Sequence, residues 1–132
     1  MNRVKRFALG GLLGGLVLAC AGGTITATAA QRAHTASTHT VSITANPTGL
    51  LKYTKSSITT TPGSIKIVFT NNSPLSHDVV LINSKNKILG KTPIFDHGTK
   101  SFMVTLAKGK YTYYCSVPGH RAAGMQGTLT VS

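Results

Sequence analysis

From residue 40 onward the chain alternates apolar and polar positions in short runs separated by turn residues, the pattern of β-strands with one buried face. The clearest run is SIKIVFT, residues 64–70, in which Ile65, Ile67 and Phe69 share one face and Lys66 and Val68 the other, before Asn71, Asn72, Ser73 and Pro74 break it. Residues 40–45 (TVSITA) alternate in the same way and run into an Asn46-Pro47-Thr48-Gly49 turn. The more polar stretch 50–60 predicts one long strand or two short ones, closed by Thr61, Pro62 and Gly63. HDVVLIN, residues 77–83, predicts a strand that begins at a histidine. Residues 84–98 are the least regular part, with a short strand at Ile88 and Leu89. Residues 100–106, 111–115 and 127–132 complete the set, the first two joined at Lys108-Gly109-Lys110. Seven or eight strands in about 90 residues, with no helical period of useful length, predict an all-β fold, a Greek-key β-sandwich.

The first 40 residues read differently. Arg3, Lys5 and Arg6 precede an apolar run over residues 7–23, and Ala27-Thr28-Ala29 supplies small residues for a signal peptidase, so residues 1–29 are expected to be an export signal. The run is shorter than the roughly 20 residues of a comfortable bilayer span, and its retention as an anchor stays open. Val17-Leu18-Ala19-Cys20 loosely matches a lipobox, a reading that would make Cys20 a lipid-carrying first residue. Residues 30–40 are small, polar and unpatterned, as in a flexible linker, and His34 and His39 are expected to be solvated there. One domain, residues 41–132, remains.

Charge narrows the partners. The 132 residues carry 14 Lys and Arg against two acidic residues, Asp78 and Asp96. Without the three cations of the leader the balance is still 11 to two, about +9. Such a surface attracts acidic proteins, anionic lipid or nucleic acid and governs association, not fold. The cysteine count adds a second constraint. If the leader is removed, Cys115 is a lone thiol in an exported chain, with no intramolecular partner, and is expected to be ligated or protected.

A ligand is close at hand. In YYCSVPGHRAAGMQGTL, residues 113–129, Cys115, His120 and Met125 follow one another at five-residue intervals. His77 opens an apolar run upstream, and a fold that brings it to this loop assembles two imidazoles, a thiolate and a thioether. That donor set suits copper in a trigonal blue-copper electron-transfer site with a weak axial thioether. The alternative for Cys115 alone is a buried, inert side chain.

The run GKYTYYCSVPGHRAAGMQGTLTV, together with SHDVVLI upstream, resembles the copper-binding parts of the cupredoxins, the family of plastocyanin, azurin, auracyanin and rusticyanin. The C-x4-H-x4-M spacing is nearest to auracyanin and rusticyanin. The resemblance implies one type 1 copper, cycling between Cu(I) and Cu(II), with His77, Cys115 and His120 as equatorial ligands and Met125 as the axial one. It also implies an electron carrier that is not an enzyme. The sequence departs from the family at Asp78, where Asn or Ser is usual after the first His; a carboxylate there can accept from Ser116 and favours Cu(II). Pro118 is expected to withdraw one N–H from the cysteine sulfur. Pro118, Gly119, Ala122, Ala123 and Gly124 are expected to form a flat apolar port around the edge of His120, with a second route through Tyr114, whose side chain alternates outward from that of Cys115.

The function expected is therefore a monomeric shuttle of single electrons outside the cytoplasmic membrane, in a periplasm or on the membrane's outer face, docking to acidic redox proteins such as cytochromes or a terminal oxidase. The alternative is a periplasmic copper carrier using the same ligands. Copper enzymes of this fold need further copper sites, and no second His cluster is present. Nucleic acid is not an expected partner, because the leader and the copper loop argue against it.

Overall fold

The structure is a computed structural model that describes residues 37–132; the expected export signal, Cys20 and His34 lie outside the described residues. Eight strands follow in order: β1 (His39–Thr44), β2 (Ser57–Thr60), β3 (Gly63–Asn71), β4 (Val80–Ile82), β5 (Ile88–Lys91), β6 (Gly98–Leu106), β7 (Gly109–Tyr114) and β8 (Gln126–Val131). Among the described residues there is no helix long and apolar enough to cross a membrane.

The alternation of β3 decides its place. Ile65, Ile67 and Phe69 are fully buried while Lys66 is exposed, and burying each of these apolar side chains contributes about 1.5–3 kcal/mol. β3 lies between β1, parallel to it, and β6, antiparallel. The facing sheet has the order β2-β8-β7-β4-β5, and its inward residues Leu81, Tyr113 and Leu129 close the core against β3. The expected all-β sandwich is therefore the fold observed.

Three elements differ from the sequence pattern. β1 starts at His39, so that histidine is half-buried in a strand, two residues inside the stretch expected as linker. The polar stretch 50–60 yields only β2, with Tyr53 held to Ala45 by a single bridge. The strand expected from His77 is regular only over Val80–Ile82. His77 instead exchanges backbone hydrogen bonds with Phe95 (3.0 Å each way), and the Val79 N–H goes to the Thr92 hydroxyl (3.1 Å).

Register decides which loops meet. Thr44 pairs with Thr70, Asn71 with Gly98, and Tyr114 with both Val80 and Gln126. Loops 45–56, 72–79, 92–97 and 115–125 therefore gather at one end of the sandwich. The start of β1 and the turns β2–β3, β4–β5 and β6–β7 lie at the other.

Candidate metal centre

Cys115 leaves β7 directly, and the loop that follows is built to turn back on it. The His120 N–H donates to the Val117 carbonyl (3.1 Å) and the Ala123 N–H to that of Gly119 (2.9 Å). Gly119 and Gly124 take φ of 83° and 108°, a left-handed backbone that residues with a Cβ avoid. The Met125 N–H then donates to the His120 carbonyl (2.9 Å), and the Cys115 N–H donates to the Met125 carbonyl (3.1 Å). Three of the four expected ligands are thus tied together by backbone bonds within one loop.

His77 arrives from loop 72–79. Its Nδ1 lies 3.1 Å from Nδ1 of His120 and 3.8 Å from Sγ of Cys115, and Sγ is 3.5 Å from Nδ1 of His120. The circumradius of that triangle is about 2.0 Å, the length of a bond from a first-row metal to imidazole, about 2.0–2.1 Å, and slightly less than one to thiolate, about 2.3 Å. His77 and Cys115 are fully buried and His120 is half-buried. Met125 is fully buried in the same cluster as Cys115. The donors present fit a single copper ion.

A polar lattice orients the first histidine. Nε2 of His77 is 3.2 Å from the Ser73 hydroxyl oxygen, so a proton on Nε2 leaves the Nδ1 lone pair for a metal. Ser73 also accepts from the Leu75 N–H (3.2 Å), and its own N–H donates to Asn71 Oδ1 (3.0 Å). The Asn71 amide donates in turn to the Leu75 and Phe95 carbonyls, 2.8 Å each. In the sequence Asn71 and Ser73 read only as strand breakers. A cluster of small polar residues six and four positions before a histidine was the available signal.

Asp78 is buried. Its carboxylate accepts from the Ser116 N–H (2.6 Å) and from the Ser116 hydroxyl (2.5 Å), and its carbonyl accepts from the Tyr53 hydroxyl (2.6 Å). Burial holds His77 below the usual imidazole range, the neighbouring His120 adds to this, and Asp78 opposes it. Burial pushes the Cys115 thiol up to about 11; backbone N–H groups of Asp78 and Val117 favour its thiolate and the Asp78 carboxylate disfavours it. Pro118 itself has no N–H to offer the sulfur, and the backbone N–H that favours the thiolate on this side is that of Val117, one residue earlier.

Around the half-buried His120, residues Pro118, Gly119, Ala122, Ala123 and Gly124 are all exposed, as the port requires. Tyr114 is half-buried, and the Arg121 guanidinium lies 4.2 Å over its ring, with Nε held by Gln126 Oε1 at 3.2 Å. The second route is thus capped by a cation. Tyr113 is core, its hydroxyl donating to the Lys55 carbonyl at 2.6 Å. His97 and Met103 are exposed.

Known copper proteins are similar to this chain. The model of the copper-binding proteins of the plastocyanin/azurin family matches residues 39–132. Among solved structures, auracyanin from Roseiflexus castenholzii is similar at 25% identity, with 74% of this chain and 98% of that chain covered and a TM-score of 0.66. Auracyanin A, a blue copper protein of Chloroflexus aurantiacus, is similar at 26% identity, over 73% of this chain and 100% of that one, with a TM-score of 0.65. Reduced rusticyanin, at 19% identity over 72% and 83% of the two chains with a TM-score of 0.60, shares the fold. No curated protein sequence matches significantly. With the family model spanning the whole described sandwich and the His77–Cys115–His120 triangle assembled at one end of it, this chain belongs to the copper-binding proteins of the plastocyanin/azurin family, the cupredoxins.

Proposed function

We propose that the protein is a type 1 copper electron carrier, whose copper would be held by His77, Cys115, His120 and Met125. The triangle of two Nδ1 atoms and one Sγ, closed on a rigid loop, carries this reading. When bound, copper supplies a one-electron couple. The chain's own residues do the rest. Ser73 holds the His77 ring, Asp78 fixes Ser116 beside Cys115, and the N–H groups of Asp78 and Val117 stabilise charge on the sulfur. The full burial of His77, Cys115 and Met125 keeps the centre dry, while the exposed small residues around His120 let a partner approach one ligand edge.

The carrier works outside the cytoplasmic membrane and has no substrate of its own. Its partners are acidic redox proteins such as a cytochrome or a terminal oxidase, drawn by the net positive charge. An absorption spectrum after Cu(II) addition, followed by ascorbate, tests the centre. An intense blue or green band that bleaches and returns on reoxidation is expected, and Cys115→Ser should lose the band and retain the β fold. Copper that binds without the band, or leaves on reduction, would favour a copper carrier instead. Electron transfer to an acidic partner should slow steeply between low and physiological salt; a flat rate would remove the charge-steering argument.

A further inference from the structure

We infer that the end of the sandwich opposite the metal centre is a binding surface for anionic lipid. Lys85 and Lys87 lie in the β4–β5 turn, Lys108 sits at the β6–β7 turn and Lys110 follows it on β7. Ile82 pairs with Thr112, which sets the two turns side by side. All four lysines are exposed. The only acidic residues among those described, Asp78 and Asp96, are at the other end, beside His77 and Phe95. The far end is therefore a cationic cap with no Asp or Glu side chain among the described residues. The nine residues of β3, at about 3.3 Å each, separate it from the metal end by roughly 25–30 Å.

The occupant follows from chain connectivity. β1 begins at this same end, so residues 1–38, with their apolar run at 7–23, join the domain here. That segment, whether as an anchor or through a lipid on Cys20, brings the domain within reach of a membrane, and anionic lipid is the occupant whose charge the four lysines complement. Each lysine close to an anionic surface strengthens binding roughly fivefold, and the effect fades within a Debye length.

The test uses residues 31–132 without metal, so it is independent of the copper reading; residues 34–132 form a compact unit of their own. Cosedimentation is measured with vesicles of phosphatidylglycerol and phosphatidylcholine against pure phosphatidylcholine. Binding to the anionic vesicles alone is expected, reversed by salt. Joint Lys85→Gln, Lys87→Gln, Lys108→Gln and Lys110→Gln substitution should weaken it at least a hundredfold. The same charge change at Lys52, Lys55, Lys91 and Lys100, nearer the metal end, should weaken it less than tenfold. Equal losses in the two variants would reduce the effect to net charge and overturn the proposal. So would failure of the unsubstituted domain to bind the anionic vesicles, including the case in which it binds an acidic protein instead.

Discussion

The carboxylate of Asp78 receives both hydrogen-bond donors of Ser116, the backbone N–H at 2.6 Å and the hydroxyl at 2.5 Å. The residue after one ligand thereby grips the residue after another, joining loop 72–79 to loop 115–125 at the metal. An Asn could accept one of these donors. The carboxylate accepts both and adds a negative charge beside Cys115.

Geometry and charge separate in two variants. Asp78→Asn keeps the shape and one acceptor, so the unfolding free energy of the metal-free protein should fall by less than about 1.5 kcal/mol, while the loss of charge raises the reduction potential of the copper-loaded protein. Asp78→Ala removes the clamp as well and leaves the Ser116 N–H without its acceptor, a loss of about 2–4 kcal/mol. Urea unfolding and voltammetry measure the two effects. A potential unchanged in Asp78→Asn would mean that the charge is not felt at the site.

Ser73→Ala isolates the orientation of His77. The imidazole loses its partner at Nε2 and the Leu75 N–H its acceptor, while the ligand count is unchanged. Copper affinity should fall by about 10–100-fold, the usual effect of removing a hydrogen bond behind a ligating histidine. Competition against a chelator of known affinity gives the number, and an affinity within twofold of the parent would show that the loop alone aims the ring.

The metal-free protein should be most stable between mildly acidic and mildly alkaline pH. On the acid side the unfolded imidazole takes up a proton near 6.5 while buried His77 does so only at lower pH, so the unfolded state binds more protons and stability falls as pH drops below that value. On the alkaline side the unfolded thiol ionises near 9.0 while folded Cys115 keeps its proton to about 11, so stability falls again as pH rises through that interval. Tyr113, pushed by burial from 10.0 to about 12, extends the fall. With copper bound, Cys115 is already a thiolate in the folded protein, and its part of the alkaline loss should vanish. Urea midpoints across pH 5 to 11, with and without copper, test all of this.

How much of this was legible in the sequence depends on whether a residue speaks through period and spacing or through tertiary contact. Ile65, Ile67 and Phe69 announced β3 because one buried face imposes a period of two. Cys115, His120 and Met125 announced the loop because their chemistry is rare in combination. His77 was legible as a ligand, but its strand was not. Val79 to Ile82 are all buried, so the run shows no alternation to mark where regular pairing begins at Val80. The roles of Ser73 and of the Val117 N–H depend on which atoms face the imidazole and the sulfur after folding, and nothing in a single sequence encodes that. Asp78 was readable as an acceptor for Ser116, yet its burial was not, because the donors that satisfy it lie 38 residues away.

Packing beneath the metal loop gives a last prediction. Tyr113 pairs with Gly127 across β7 and β8, and its ring lies where a Cβ on residue 127 would be. The ring has little room to retreat. Its hydroxyl is fixed to the Lys55 carbonyl, and its face meets Tyr53 at a centroid distance of 5.4 Å. Gly127→Ala should therefore destabilise the protein by about 1–3 kcal/mol through overpacking. In a Tyr113→Leu background, where no ring covers the glycine, the same substitution should cost less than about 0.5 kcal/mol, although Tyr113→Leu is itself destabilising. Such non-additivity is what two side chains contending for one space produce. Urea unfolding of the four proteins closes the cycle, and additive losses would mean that the strand, not the ring, objects to a Cβ at residue 127.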